Sequence, residues 1–232
     1  MKSNSSIYLF ASSPLFNKEA APVFENFGSE SSYQLYSSLF FNYKEIFDAY
    51  NKSYQVVYCL DEKDKNNLPQ EFEKQSTEIF WGDLNHKSEI LKLMSDKYFV
   101  NSNNNLLIFS NSIGISFSEI QKAFNLLSIE DEAVVIGKSN RDKIIFIGFN
   151  SFNKDLFSDL NWETLSYENL LARLGKHDNF LHVLGNYLAV NDIIDFKNLY
   201  TELSKKESLF YCSQTMHEQF TNLFIEYKEL LK

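Results

Sequence analysis

Short apolar runs alternate with longer segments of helical period along the chain. The runs are rich in β-branched and aromatic residues, a composition typical of buried strands. Alternating strands and helices are the pattern of an α/β domain, so we expect a mainly parallel central sheet with helices on both faces. The predicted strands are Ile7–Ala11, Tyr54–Leu60, Leu106–Ser110, Ala133–Gly137, Lys143–Phe149 and Phe180–Leu188.

Several segments carry apolar residues at spacings of three and four, the period of an amphipathic helix. An aromatic stripe runs from Tyr36 to Tyr50, and a second helical pattern spans His86–Phe99. A third pattern predicts a C-terminal helix at about residues 213–231. No linker rich in Ser, Gly or Pro divides the chain, so we expect a single domain over residues 1–232, with the C-terminal helix packed on it or on a partner.

Three loops follow the carboxyl ends of predicted strands, where ligands gather in doubly wound sheets. They are Ser12–Lys18, Ser110–Ile115 and Lys138–Asp142. The second loop leads into Ser116 and Glu119, a capping-box pattern that predicts the start of a helix. The third loop is too short to contain a crossover helix, so we predict that it joins two antiparallel strands in a hairpin.

The acidic composition narrows the classes of partner. A net charge of -9 and a pI near 5.0 argue against nucleic-acid binding, which needs a basic face. Because no apolar run approaches the roughly 20 residues of a membrane span and the N-terminal run is too short for a signal peptide, we expect a cytoplasmic protein without a membrane partner. The sequence contains no serine-hydrolase elbow, P-loop or Rossmann glycine motif, and its His residues lack paired metal-ligand spacing.

Six segments stand in order along the chain: IYLFASSP, GDLNHK, LLIFSNS, VVIGKSNRDKIIFIGF, LFSDLNW and LAVNDIIDFKNL. In this order they resemble the motifs of a family of small bacterial GT-A-like proteins of largely unknown function, provisionally assigned as nucleotide-diphospho-sugar transferases. The resemblance implies a GT-A-like fold and a nucleotide or nucleotide-sugar ligand. With the three loops, it makes these the candidate binding residues: Ala11, Ser12, Ser13, Pro14, Lys18, Ser110, Asn111, Ser112, Lys138 and Arg141.

The departures from the family pattern all concern charged positions. The first loop lacks the family's Lys-Thr-Arg segment after Lys18, which would grip phosphates. The family's strand-ending Asp is Asn111, its Asp-Gly-Gly is Arg141-Asp142-Lys143, and its late Asp-Val-Asp is Ala189-Val190-Asn191. Carboxylates normally hold a divalent cation on a diphosphate, and an amide oxygen contributes far less electrostatic attraction. We therefore expect no required divalent metal and a loss of metal-dependent catalysis.

Three functions remain open at this point. The first is a pseudoenzyme that keeps nucleotide or anion binding, or a regulatory role, through the basic side chains of the hairpin loop. The second is an active, metal-independent glycosyltransferase or nucleotidyltransferase in which Lys138, Arg141 or Lys143 replaces the cation. The third is an interaction protein with an empty crevice, whose aromatic helices form a homodimer.

Of three polar residues near these loops, two have two interpretations each and one has a single interpretation. Asn111 is either a turn residue bonded to its local backbone or a remnant nucleotide contact. Asn191 is expected to be the N-cap of the helix that carries Ile194. Asp142 is a weak candidate for a catalytic carboxylate, against the alternative of a solvated residue at the hairpin tip.

Overall fold

The computed structural model describes residues 5–49, 53–73, 77–157 and 165–232. Tyr50 of the aromatic stripe and Trp162 of the LFSDLNW segment lie outside these ranges. The strands are β1 Ser5–Phe10, β2 Gln55–Asp61, β3 Glu78–Gly82, β4 Asn104–Phe109, β5 Ser112–Ile113, β6 Ala133–Ser139, β7 Ile144–Phe149 and β8 Phe180–Ala189. The helices are α1 Ser29–Ala49, α2 Gln70–Glu73, α3 Lys87–Lys97, α4 Phe117–Leu127, α5 Lys154–Phe157, α6 Tyr167–Leu174, α7 Ile193–Leu203 and α8 Gln214–Glu226.

The strands form one curled sheet in the order β3-β2-β1-β4-β7-β6-β8-β5. Neighbours pair in parallel from β3 through β4, and β6 is parallel to β8. The β6–β7 pair is antiparallel, which confirms the predicted hairpin, and β7 is also antiparallel to β4. The hairpin therefore lies next to β4, which is the last of the four parallel strands β3, β2, β1 and β4.

Two strands were not predicted, and each for its own reason. The residues of β3, EIFWG, are all partly exposed at the edge of the sheet, so their apolar pattern is short and weak. The strand β5 is only two residues long and exists because Ser112 and Ile113 pair with the end of β8. A partner so distant in sequence leaves no local periodicity to detect.

Helices cover both faces of the sheet. Helix α1 packs on one face through Phe40, which contacts Tyr58 of β2. The opposite face packs against the segment after α3, where Phe99 contacts Tyr8 of β1. Helix α1 is apolar on two sides, because its Leu39 belongs to a second cluster formed with α7 and α8. None of the helices in the described ranges is long and apolar enough to cross a membrane.

One predicted helix N-cap is confirmed and another is wrong. Helix α4 has the expected N-cap, because Ser116 Oγ accepts the Glu119 N–H at 3.3 Å. The prediction for Asn191 is wrong, since α7 is capped by Asp192, whose carboxylate accepts the Asp195 N–H at 3.0 Å. Asn and Asp are equally good N-caps, so the sequence pattern alone could not select between the two neighbours.

Candidate functional site

The first loop, between β1 and α1, is closed by a carboxylate of the chain itself. Asp64 is fully buried and accepts the backbone N–H groups of Leu15 at 2.9 Å, Phe16 at 2.8 Å and Asn17 at 2.8 Å. Burial raises the pKa of the Asp64 carboxyl, and the three N–H bonds oppose that rise. Successive backbone N–H groups of this kind form a cradle that suits an anion. In this protein the cradle already holds an internal anion.

The remaining residues of the first loop are tied to β2 and β4. Ser13 Oγ donates to Asp61 Oδ2 at 2.5 Å, and the Ser13–Pro14 peptide is cis. The Ser12 N–H donates to Ser110 Oγ at 3.1 Å, so two of the three predicted loops do meet. The Ala11 N–H continues the sheet by donating to the Cys59 carbonyl.

Lys18 makes its contacts with side chains of α1. Its ammonium group lies 2.8 Å from a carboxylate oxygen of Glu30 and 4.6 Å from the centre of the Tyr33 ring. Its partners are therefore Glu30 and Tyr33 of the protein itself, whereas a phosphate contact was expected for Lys18.

Asn111 bonds across the fold. Its Nδ2 donates to Asn191 Oδ1 at 2.6 Å, and its carbonyl accepts the Val190 N–H at 2.8 Å. The local-turn interpretation is therefore wrong, because the side-chain partner lies at the far end of β8. The flanking serines are buried, and Ser112 Oγ lies 2.8 Å from the Tyr43 hydroxyl.

The two asparagines line a small cavity of about 150 Å³ at the carboxyl end of β4. Two lysines contribute to its wall, Lys87 from the start of α3 and Lys143 from the hairpin. The nine described lining residues include no Asp, Glu or His; they are Lys87, Phe109, Asn111, Lys143, Ile144, Ile145, Leu165, Ala189 and Asn191. We call this the asparagine cavity.

Arg141 does not project into the asparagine cavity as an anion contact. Its Nη1 donates to both carboxylate oxygens of Asp192, at 2.7 and 2.6 Å, and to Asp195 Oδ1 at 2.8 Å. The bonds to Asp195 and Asp192 raise the pKa of the guanidinium. Arg141 is therefore the centre of an ion-pair network that joins the hairpin tip to the start of α7.

The other residues of the hairpin loop are also engaged within the protein. The Lys138 ammonium lies 4.5 Å from the centre of the Tyr167 ring, a cation–π contact. Asp142 occupies the hairpin tip with φ of 61°, and its N–H donates to the Ser139 carbonyl at 3.2 Å. That geometry is the turn conformation Asp readily adopts, and Asp142 is not among the described residues of the asparagine cavity.

A second cavity, of about 540 Å³, lies between the start of α4, the end of β8 and α7. Glu119 and Tyr187 form one wall, and the Tyr187 hydroxyl donates to Glu119 Oε2 at 2.5 Å. Arg141 and Asp195 also line this cavity. Ala189 lines both cavities, so they adjoin at the end of β8.

Lys87 was not among the predicted site residues, although the sequence held a signal for it. It ends the GDLNHK segment at the position where the related motif has Arg. A basic residue at that place, at the start of a helix, indicates a candidate residue of the binding site. Its contribution became visible only when α3 was seen to begin at the cavity wall.

The donor set does not fit a divalent cation. Asn111 and Asn191, where the sequence resemblance led us to expect carboxylates, bond to each other at 2.6 Å. In the described ranges, no group of three or more His, Cys, Asp or Glu side chains is arranged as a metal site. Hard cations such as Mg²⁺ and Mn²⁺ prefer anionic oxygen ligands, which this cavity lacks among its described residues.

Comparisons with known proteins bear on the fold. The sequence matches no protein-family model and no curated protein. A solved structure of a provisionally named nucleotide-diphospho-sugar transferase from Desulfovibrio desulfuricans G20 aligns with a TM-score of 0.74 at 20% identity, over 99% of this chain and 97% of that one.

Two further structures align more loosely. A 4-diphosphocytidyl-2C-methyl-D-erythritol synthase from Anaerococcus prevotii gives a TM-score of 0.54 at 12% identity, over 88% of this chain and 97% of its own. A cytidylyltransferase from Leptospira borgpetersenii gives 0.52 at 13% identity, over 100% and 97%. The chain therefore has the GT-A-like fold that these nucleotide-diphospho-sugar transferase-like and cytidylyltransferase structures share.

Proposed function

We propose that this protein binds a phosphate-bearing ligand of the nucleotide class in the asparagine cavity, without a divalent metal, and has lost metal-dependent transferase chemistry. The observation that carries the proposal is the lining of that cavity: two lysines, two asparagines and no acidic residue among those described. Ammonium groups and amide N–H groups can satisfy phosphate oxygens directly.

The position of the cavity supports a ligand site. It lies outside the carboxyl end of β4, at the junction of the parallel strands and the hairpin, where α/β sheets place their ligands. The neighbours of this fold include proteins named for nucleotide chemistry. The asparagine cavity occupies the place of the replaced acidic positions.

The size of the cavity limits what enters it. Its volume of about 150 Å³ is below the range of about 300–1,000 Å³ typical of pockets that enclose a whole small molecule. At about 30 Å³ per water molecule, it has room for about five waters, comparable with a phosphoryl group and its closest solvent. The charged end of the ligand would enter, and the remainder would lie outside the cavity.

Binding is favoured over catalysis by the side chains present. A transferase step that activates an acceptor hydroxyl needs a group that takes its proton, most often His, Asp or Glu. None of these is among the nine described residues that line the cavity. A metal-independent transferase, with Lys143 stabilising the leaving diphosphate, would need its base from the acceptor side.

The proposal is tested by calorimetry and thermal shift with UDP, GDP, CDP and nucleotide sugars in the presence of EDTA. We expect saturable stabilisation by at least one diphosphate, and about tenfold weaker binding in Lys143→Gln, because a charged hydrogen bond of about 1.5 kcal/mol is lost. Lys138→Gln is the matched control on the same hairpin, since Lys138 stacks on Tyr167 outside the cavity, and its affinity should equal that of the wild type.

The outcomes separate the three candidate functions. Equal losses in Lys143→Gln and Lys138→Gln would mean that binding depends on net charge and not on the asparagine cavity. If no compound gives a heat of binding or a rise in melting temperature, ligand binding is rejected and the interaction role remains. Release of product from a nucleotide sugar in EDTA would support the metal-independent transferase.

A further inference from the structure

We propose that Arg141 is a positioning residue, which holds Asn191 against Asn111 and so shapes the asparagine cavity without touching its ligand. The inference rests on the proposed function and assigns a role to a side chain that lies in the wall of the larger cavity. It replaces the expectation that Arg141 itself grips an anion.

A continuous set of hydrogen bonds connects the two cavities. Arg141 Nη1 donates to Asp195 Oδ1 at 2.8 Å, and Asp195 Oδ2 accepts the Asn191 N–H at 3.1 Å. The Asn191 side chain in turn accepts from Asn111 Nδ2 at 2.6 Å. Each bond fixes the next group, so the guanidinium is connected to the asparagine pair through a single carboxylate.

The burial of the carboxylate makes this connection rigid. The side chain of Asp195 is only 4% exposed, whereas those of Arg141 and Asp192 are 44% and 33% exposed. A buried carboxylate that lost its guanidinium partner would be left unpaired, which is unfavourable enough to drive rearrangement. Because Asp195 also accepts the Asn191 N–H, that rearrangement would move Asn191 first.

The same Arg141 Nη1 also contacts both carboxylate oxygens of Asp192. Asp192 is the N-cap of α7, so Arg141 binds both the first turn of the helix and the residue that precedes it. The hairpin carrying Lys143 and the segment carrying Asn191 are thereby held at a fixed separation. Both residues line the asparagine cavity, so its width follows from this network.

The test compares Arg141→Gln, Arg141→Lys, Asp195→Asn and the double variant Arg141→Gln/Asp195→Asn. The first readout is the side-chain amide resonance of Asn111 in ligand-free protein, assigned by its loss in Asn111→Ser. We expect that resonance to shift in Arg141→Gln and to return most of the way in Arg141→Lys, which keeps a charge able to reach Asp195. This readout needs no ligand, so it stands even if the proposed function fails.

The second readout is the affinity for pyrophosphate in EDTA. We expect Arg141→Gln and Asp195→Asn each to weaken binding about fivefold to tenfold, and the double variant to be no weaker than either one, because all three break the same connection. Circular dichroism and thermal unfolding establish that each variant is folded. An unmoved Asn111 resonance in folded Arg141→Gln would overturn the proposal. So would an Asp195→Asn variant that binds as well as wild type, since Arg141 would then act on the ligand directly.

Discussion

Two regions at the carboxyl edge of the sheet differ in the charge of the side chains beside their polar groups. In the first loop, Asp64 and Asp61 take up the backbone N–H groups and the Ser13 hydroxyl, so the anion required by the cradle is part of the chain. The asparagine cavity is lined by Asn111 and Asn191, with Lys87 and Lys143 in its wall and no acidic side chain among its described residues. The first region is satisfied by carboxylates of the chain, and the second is the region for which we propose a phosphate-bearing ligand.

The comparison shows two ways in which polar groups at the strand ends of one sheet are satisfied within the chain. An Asn111–Asn191 hydrogen bond links the ends of β4 and β8, a place where two carboxylates would need a cation between them. An amide is both a donor and an acceptor, so two amides can bridge without an added ion. In this protein the ends of β4 and β8 are therefore joined by side chains of the chain itself.

The largest effect is expected in the first loop. Asp64→Ala removes the acceptor of three backbone N–H groups in a fully buried position, so we expect a loss of about 3–5 kcal/mol in the free energy of unfolding, measured with urea. Asp131→Ala is the control, because Asp131 is exposed in a turn and should change stability by less than about 0.5 kcal/mol. A loss in Asp64→Ala no greater than in the control would show that the cradle does not depend on the internal anion.

The next largest effect is expected when carboxylates are placed in the asparagine cavity. The double variant Asn111→Asp/Asn191→Asp replaces the amide bond by two adjacent carboxylates, so we expect it to be less stable by about 1–3 kcal/mol in EDTA. Added Mn²⁺ should then raise its melting temperature, because the carboxylates recreate an anionic oxygen site. The wild type should show no such rise. Equal responses of both proteins to Mn²⁺ would contradict the account of the cavity.

A smaller effect concerns the ion-pair network of Arg141. Although burial acts to raise the pKa of Asp192, the Asp195 N–H bond and the Arg141 guanidinium hold it below its usual value. The ionised form is therefore favoured by folding, and its contribution is present above the unfolded pKa of about 3.9 and lost as pH falls through the folded value. Asp192→Asn keeps an N-cap side chain but removes the charge.

We expect Asp192→Asn to be less stable than wild type by no more than about 1 kcal/mol at neutral pH, because the pair is partly exposed. The difference should be unchanged at about pH 5 and should shrink at about pH 3. Urea unfolding of both proteins at the three pH values measures it. A difference that grew in acid would mean that Asp192 is not stabilised as an anion.

Much of the fold could be predicted because its determinants are local. The six apolar runs, the hairpin and the Ser116 cap each depend on residues within a few positions of one another. The edge strand β3 and the two-residue β5 could not be predicted, because pairing with distant strands creates them. The periodicity of apolar residues describes one segment at a time, so it cannot indicate pairing with a distant strand.

The meeting of two strand-end loops could be predicted from the sequence, whereas the partners of their side chains could not. The strand-end rule brought attention to Asn111, and the cavity does lie there. The partner of Asn111 is 80 residues away and those of Arg141 are 51 and 54 away, so no local pattern could reveal them. Charge alone suggested that Arg141 would meet an anionic ligand, whereas the anions it meets are Asp192 and Asp195.

We propose that the asparagine cavity binds phosphate groups without a metal. The most direct measurement is isothermal titration of the wild-type protein with pyrophosphate in EDTA, repeated with Mn²⁺ in place of EDTA and corrected for the Mn²⁺–pyrophosphate complex. We expect saturable binding of pyrophosphate at one site, with the same affinity in EDTA and in Mn²⁺. Binding that occurs only when Mn²⁺ is present would contradict it.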